Sequence, residues 1–574
     1  MTSPGDADRR TSASLPGDGD SRASLRPDAD AGAPWSHAET QRRRERAEEP
    51  GAAPGLHLVG GDAISRRGFV AAAAGMAAAI VGCAPKTERA LAGGFADDGG
   101  ARGHLLRDGA RFPAPRRTVR VPLVIAGGGV AGLSAAWRLA KRGFTGFVVL
   151  ELEDHAGGNA RWGENAVSAY PWAAHYVPVP GNETVLVREL FEELGVWKDG
   201  AWDETALVQA PKERLYRFGA WHEGLREPMM DSAADRAEFH RFDAEIAEMR
   251  ATGGFTVPLS LGARPSPLDG MTMARWLDER GFRSRALRWY VDYGCRDDYG
   301  ALARDVSAWA GVHYFAGRPP EDDELGPLAW PEGNGWIVRQ LLERLGRYVV
   351  RGAPVHRVEP RGRGMRVLAD DAEYLCDAVI WAAPSFIASR VIEGAPAVDF
   401  TYSPWLTANL TLDRWPAESG FPPAWDNVIA DSPGLGYVVA NHQTLQTFQD
   451  RWVWTYYRAL SDQAPSAARR ALLAGSWRDA ANGILADLER AHPDVRRCVT
   501  RVDIMRMGHA MIRPTPGFLA DPVRERLRAA AGPVFYAHSD LSGISIFEEA
   551  QSRGVTAAER ALEYLGGGWA GGVG

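Results

Sequence analysis

The stretch from Arg120 to Gly158, RVPLVIAGGGVAGLSAAWRLAKRGFTGFVVLELEDHAGG, constrains the fold more than any other part of the 574-residue chain. Val121 to Ala126 is a short, β-branched apolar run of the kind that forms a strand buried on both faces, and a glycine-rich turn follows it directly. Leu133, Ala136, Leu139 and Ala140 then recur at helical spacing. Lys141, Arg142 and Gly143 supply a basic last turn and a terminating glycine. Phe147 to Leu150 is a second apolar strand. The whole is a βαβ unit of about 30 residues.

Each glycine has a separate task in such a unit. Gly127 permits the tight turn, Gly129 lets a diphosphate approach the backbone, and Gly132 lets the helix pack closely on the strand. Val130 and Ala131 open the helix, whose positive N-terminus favours the phosphates. Glu151 ends the second strand at the distance where a carboxylate accepts hydrogen bonds from ribose hydroxyls. A lone G-x-G-x-x-G is weak evidence; the strand before, the helix after and the acid beyond make this one a dinucleotide site.

The continuation Glu151-Leu-Glu-Asp-His-Ala-Gly157-Gly158 resembles that of the flavin-containing amine oxidase and phytoene desaturase superfamily. There the glycine pair brings a loop onto FAD. The family's usual arginine after this pair is Asn159 here, with Arg161 two places on. Gly333-Asn-Gly335-Trp336, the Val355 to Val358 strand and Ala378 to Pro384 resemble the second FAD segment, which implies an adenine contact at Val355. Gly532 to Gly543 followed by Ile546 to Gly554 resembles the third. It implies Asp540 at the ribityl or pyrophosphate region and the backbone of Phe547 facing the flavin pyrimidine, where reduced flavin carries negative charge that a helix N-terminus stabilises.

The expected fold is therefore α/β: a Rossmann-like FAD-binding domain with a parallel sheet, made of 119–180, 331–400 and 511–574, interleaved with an α+β substrate domain at 181–330 and 401–510. Helical patterns such as Val187 to Leu194 and Met273 to Asp278 fall in the first substrate segment. In the second, Trp452, Trp454 and Tyr456 share one strand face that either packs a core or lines a pocket. Gly294 to Gly300 and Val312 to Phe315 read as polar and aromatic turns, and His509 and Arg513 precede the last FAD segment. None of these is assigned a catalytic role.

Residues 1–60, rich in Asp, Arg, Ser, Pro, Gly and Ala, read as a disordered extension. Segment 61–84 resembles a twin-arginine signal. Ser65-Arg66-Arg67-Gly-Phe69-Val70 precedes an apolar run of roughly 20 Å as a helix, short of a ~30 Å hydrocarbon core. Ile80-Val-Gly-Cys83 resembles a lipobox. The implied destination is the periplasm or the outer face of the membrane, with a lipid anchor on Cys83; an incidental cysteine in a cleavage region is the alternative. Segment 85–118 reads as a linker.

The formal charge of −7 argues against a nucleic-acid partner. Cys295, Cys376 and Cys498 form no disulfide framework or zinc spacing, so no metal is expected. No lysine lies beyond Lys212, which removes the lysine-held water of many amine-oxidising members and makes turnover of simple amines and polyamines an unfavourable expectation. The C-terminal segment also lacks the family's flavin-attaching cysteine, so FAD is expected to be non-covalent. The resemblance implies hydride transfer from a C–N or C–C bond of a small-molecule substrate, with O2 or a membrane carrier as acceptor. A desaturase or protoporphyrinogen oxidase-like enzyme and a non-catalytic flavin-binding module are the alternatives.

Overall fold

The computed structural model describes residues 90–96, 100–181, 183–259, 266–318, 325–444 and 448–566. The twin-arginine and lipobox motifs, with Cys83, lie outside them. Among the described residues no helix is long and apolar enough to cross a membrane.

The first apolar run forms β1 (Leu123–Ala126), the periodic stretch α1 (Val130–Lys141) and the second run β2 (Phe147–Leu150). They join β3 (Val349–Val350), β4 (Ala378–Trp381) and β5 (Val534–Tyr536) in one sheet with spatial order β3-β2-β1-β4-β5, parallel throughout. This is half of a doubly wound sheet, and its first crossover is the glycine-rich turn. Every residue of β1 is buried, as its unbroken apolar run requires. Leu123 and Ile125 face a helical layer made by α1, the helix Gly335–Leu345 and α2 (Phe547–Gly566). Val124 and Ala126 face a meander of Val355–Arg361, Gly364–Ala369 and Ala372–Cys376.

The rest of the chain builds a mixed eight-stranded sheet, whose longest strands, Thr401–Leu412 and Val499–Arg513, pair antiparallel. One face packs on the helices Pro465–Ala474 and Trp477–Leu488. The other packs on Ala233–Ala251, Met273–Glu279, Arg285–Tyr299 and Ala308–Ala316.

Several expectations need correction. The segment 85–118, read as a linker, contributes regular elements among its described residues. Ala92–Phe95 is an edge strand of the large sheet, Gly100–Arg107 is a helix, and Arg117–Arg120 edges the meander. Val185–Leu194, placed with the substrate domain, packs instead in the nucleotide domain's helical layer, where Phe191 stacks on Phe547 at 6.3 Å. The run Gly294 to Gly300 is the end of the helix Arg285–Tyr299, and Val312 to Phe315 lies within Ala308–Ala316.

The helices α1 and α2 meet backbone on backbone. A Cβ placed on Gly554 of α2 would lie 2.1 Å from the Ala131 carbonyl oxygen of α1. Gly554→Val is therefore expected to destabilise the domain by about 2 kcal/mol or more, since the helices must separate. A Cβ on Gly483, also mid-helix, meets nothing within 4 Å. Gly483→Ala is expected to stabilise by roughly 0.5–1 kcal/mol. Chemical denaturation of the two variants checks both signs.

Candidate functional site: a dinucleotide cradle

The three glycines of the crossover are glycines for three different reasons. Gly127 has φ +112°, and a Cβ there would sit 2.9 Å from the Ala382 carbonyl. A Cβ on Gly132 would lie 1.9 Å from the Gly127 oxygen, so α1 packs directly on the turn. Gly129 has neither constraint. Its φ is −74°, and the only neighbour a Cβ would meet within 4 Å is the Gly158 Cα at 3.9 Å. The protein's own packing leaves that space open.

The Gly157–Gly158 loop closes over this gap. Gly157 donates its N–H to the Gly128 carbonyl at 2.8 Å, and both glycines have positive φ, at +126° and +57°. Arg161 folds back so that its Nε donates to the Gly158 carbonyl at 3.1 Å, with Glu153 3.8 Å from its guanidinium. Asn159 turns away from this loop: its Nδ2 donates to Ala510 of the large sheet at 2.7 Å, tying the two domains together. Val130 and Ala131 provide the first turn of α1, whose N–H groups lack intrahelical acceptors.

Glu151 is buried at the end of β2. Its carboxylate accepts from the Gly128 N–H at 2.6 Å and the Glu153 N–H at 2.8 Å. Burial pushes its carboxyl above the usual range, against the pull of those two N–H groups. The Glu151 carbonyl also accepts from Ala353, which brings the segment leading to the buried Val355 beside it. An open gap at Gly129, a helix N-terminus and a buried carboxylate at the strand end together fit the diphosphate and ribose of a dinucleotide.

The third segment departs from expectation at Asp540. Its carboxylate accepts from the Ser385 N–H at 2.8 Å, the Ser385 hydroxyl at 2.9 Å and the Tyr402 hydroxyl at 2.7 Å, with the His538 ring nitrogen 3.3 Å away. The three hydrogen bonds fill most of the roughly four acceptor positions of a carboxylate, while His538 Nδ1 accepts the Asp540 N–H at 3.2 Å. Burial alone would raise its pKa; His538, Ser385 and Tyr402 outweigh it and hold the carboxyl below its usual range. In this structure Asp540 joins the turns after β4 and β5 to the large sheet rather than presenting a free carboxylate to a cofactor. Phe547 does begin α2, and Glu548 and Glu549 in its first turn are both buried. Burial raises the Glu548 carboxyl to about 7.

Near this helix end Tyr176, Asp297, Tyr314, Arg318 and Asp426 form a partly buried polar cluster. Arg318 is committed to Asp298 by two hydrogen bonds of 2.8 and 2.9 Å. Among the described residues, Asp297 accepts from the Tyr314 hydroxyl alone, at 3.4 Å. Burial, then the charge of Asp298, raises the Asp297 carboxyl; burial, then Glu213 and Asp297, raises Asp426 well above the carboxylate range. Burial lowers the nearby His175 to about 4, so its ring is neutral at pH 7. That ring lies 4.7 Å from Tyr457 and 5.5 Å from Trp425.

The aromatic strand packs a core: Trp454 and Tyr456 are fully buried, Trp454 stacking on Tyr437 at 4.0 Å and Tyr456 donating to Asp487 at 2.8 Å. Tyr457, on the opposite face, packs against His175. His509 stacks on Phe386 at 4.4 Å, and Arg513 pairs with Asp305 at 3.0 Å. His509 borders a separate cleft of about 180 Å³ with Glu153, Asn159 and Arg161. Sequence reasoning missed Tyr176, Arg318 and Asp426; Asp297 stood within a run read as a turn.

Residues 125–194 match the model of the NAD(P)-binding Rossmann-like domain family. No curated protein matches the sequence significantly. Among solved structures, the chain is similar to a putrescine oxidase bound to putrescine, at TM-score 0.58 and 18% identity over 78% of this chain and 100% of that one. It is also similar to the cyclohexylamine oxidase of Brevibacterium oxydans, at TM-score 0.59 and 16% identity over 78% and 99% of the two chains. A conjugated-linoleic-acid-producing fatty acid isomerase from P. acnes aligns at TM-score 0.57 and 15% identity, covering 77% and 98%. At these identities the likeness establishes the fold, a Rossmann-like domain interleaved with an α+β domain.

Because the space at Gly129 is empty of protein, Gly129→Val is expected to leave the melting temperature of the cofactor-stripped protein nearly unchanged while abolishing dinucleotide binding. Gly132→Val, aimed at the Gly127 carbonyl, is expected to lower the yield of folded protein. Thermal melts and reconstitution titrations on both variants separate the two roles.

Proposed function

We propose that the chain is an FAD-dependent oxidoreductase that takes a hydride equivalent from a C–N or C–C bond of a small substrate. The observation that carries this reading is the protein-free space at Gly129, beneath the Gly157–Gly158 loop and in line with the buried Glu151. FAD, when bound, supplies the electron sink. The chain's residues supply the rest. The N-terminus of α1 and Gly129 receive the diphosphate, Glu151 accepts from the ribose, and Arg161 sits over the Gly158 carbonyl at the edge of the same loop. Non-covalent attachment is supported by the cysteines, since Cys295, Cys376 and Cys498 are all buried in the two cores and the meander.

The electron acceptor in this reading is O2 or a membrane carrier. Export is part of the reading and rests on Arg66-Arg67, the apolar run and Cys83.

Anaerobic mixing of the flavin-loaded protein with amines, polyenes and porphyrinogens should bleach the oxidised flavin band with at least one class. If none does, the catalytic reading fails. Replacing Arg66 and Arg67 by lysine should retain the protein in the cytoplasm, and Cys83→Ser should release the exported form from membranes. Unchanged fractionation of the double-lysine variant would refute the export route.

A further inference from the structure

The strand Ala92–Phe95 and the helix Gly100–Arg107 join one domain to the other from outside both cores. The strand pairs in parallel with Val499–Arg513 at the edge of the large sheet, and the helix lies beside Ser385–Val391 of the nucleotide domain. No residue of either element is buried. They are held by ties along their length rather than by a core of their own, and an element with few buried apolar contacts is one that opens while the rest of a fold stays closed.

The ties fall on both domains. On the sheet, Ala96 donates its N–H to the Ile504 carbonyl at 2.8 Å, and the Arg506 guanidinium lies 3.8 Å over the Phe95 ring. On the nucleotide domain, Arg390 donates to the Arg107 carbonyl at 3.1 Å. Arg102 holds the loop that follows Glu151: it donates to the Leu152 carbonyl at 3.3 Å and forks onto the Asp154 carboxylate at 2.9 and 3.0 Å. The same loop carries Gly157 and Gly158 over the gap at Gly129. Between these ties lies the cleft of about 180 Å³, with Gly100 on one wall, Glu153, Asn159 and Arg161 on the second, and Met507 and His509 of the sheet on the third.

We propose that the strand Ala92–Phe95 and the helix Gly100–Arg107 form a clasp that gates the dinucleotide site. Closed, it pins the 152–158 loop over the gap at Gly129; it lifts from Leu152 and Asp154 for FAD to enter or leave. This rests on reading that gap as the FAD site. Every tie runs between groups of the protein itself, so the clasp closes on the loaded and the unloaded site alike. Loosening it therefore speeds capture and release together and leaves their ratio, the affinity, in place.

The test measures FAD release from the loaded full-length protein and FAD capture by the stripped protein, followed by flavin fluorescence in stopped flow. The variants are Arg102→Glu, Asp154→Arg and the two combined. Each single variant, which sets like charges against each other, is expected to raise both rates roughly fivefold or more. The dissociation constant should stay within about threefold of the parent value. The double variant re-forms the pair with its ends exchanged and should return both rates toward the parent. Arg275→Glu, which breaks an equally exposed pair with Glu279 on the helix Met273–Glu279, should alter neither rate. Hydrogen exchange should quicken at 92–95 and 100–107 in the single variants and stay unchanged in β1 and α1. Unaltered rates in both single variants, a double variant no nearer the parent than they are, a changed rate in Arg275→Glu, or exchange that rises throughout the nucleotide domain would each overturn the clasp. So would faster release with unchanged capture, which would make Arg102 a binding group and not a gate. A chain that takes up no FAD removes the cofactor reading and the clasp with it, whereas a chain that binds FAD with unaltered rates removes the clasp alone.

Discussion

The structure depends on one backbone contact, the seating of α1 on the turn that precedes it. At Gly132 a single methyl group would fall 1.9 Å from the Gly127 oxygen, so the helix can begin there only without a side chain. That contact aims the N-terminus of α1 at the Gly157–Gly158 loop. The same intimacy recurs on the outer side, where Gly554 lets α2 lie against Ala131. Two helices and two strands are thus located to within the tolerance of backbone packing, and the space left over at Gly129 is the one part of the arrangement that the protein does not fill.

The substrate side follows a different logic. Its sheet and helices are large apolar assemblies, with Trp309, Phe282 and Tyr299 buried among them, and the helix Arg285–Tyr299 ends in Asp298, which is paired with Arg318. Polar ties link the nucleotide domain to the large sheet: Asn159 to Ala510, and Asp540 to Tyr402.

The cradle was legible in the sequence because each of its parts has a local signature: an apolar run for a doubly buried strand, helical periodicity, and glycines at fixed offsets. The substrate-side packing was not, for identifiable reasons. Strand alternation in Arg451 to Tyr457 correctly separates two faces but does not say which layer each face meets; Trp454 and Tyr456 went to one core and Tyr457 to the other. Gly294 suggested a turn, but it sits inside a helix so that Tyr314 can approach, a Cβ there falling 2.6 Å from the ring. Asp426 gives no signal at all, since polar residues on a strand are ordinary. Ala92–Phe95 was hidden by its glycines. Gly93 is required because a Cβ would lie 1.9 Å from the Val502 oxygen, a constraint set by a partner strand some four hundred residues away in sequence. Asp540 matched an acid-bearing motif, but its oxygens are used inside the protein.

The claim on which the rest stands is that the gap at Gly129 receives the diphosphate of FAD. Acid or heat denaturation of the purified protein, followed by chromatographic identification and quantitation of the released nucleotide, tests it most directly. The account predicts FAD in the supernatant at about one equivalent per chain, with none retained in the precipitate. Release of a nicotinamide dinucleotide instead, or a colourless protein that takes up no FAD on reconstitution, would contradict it.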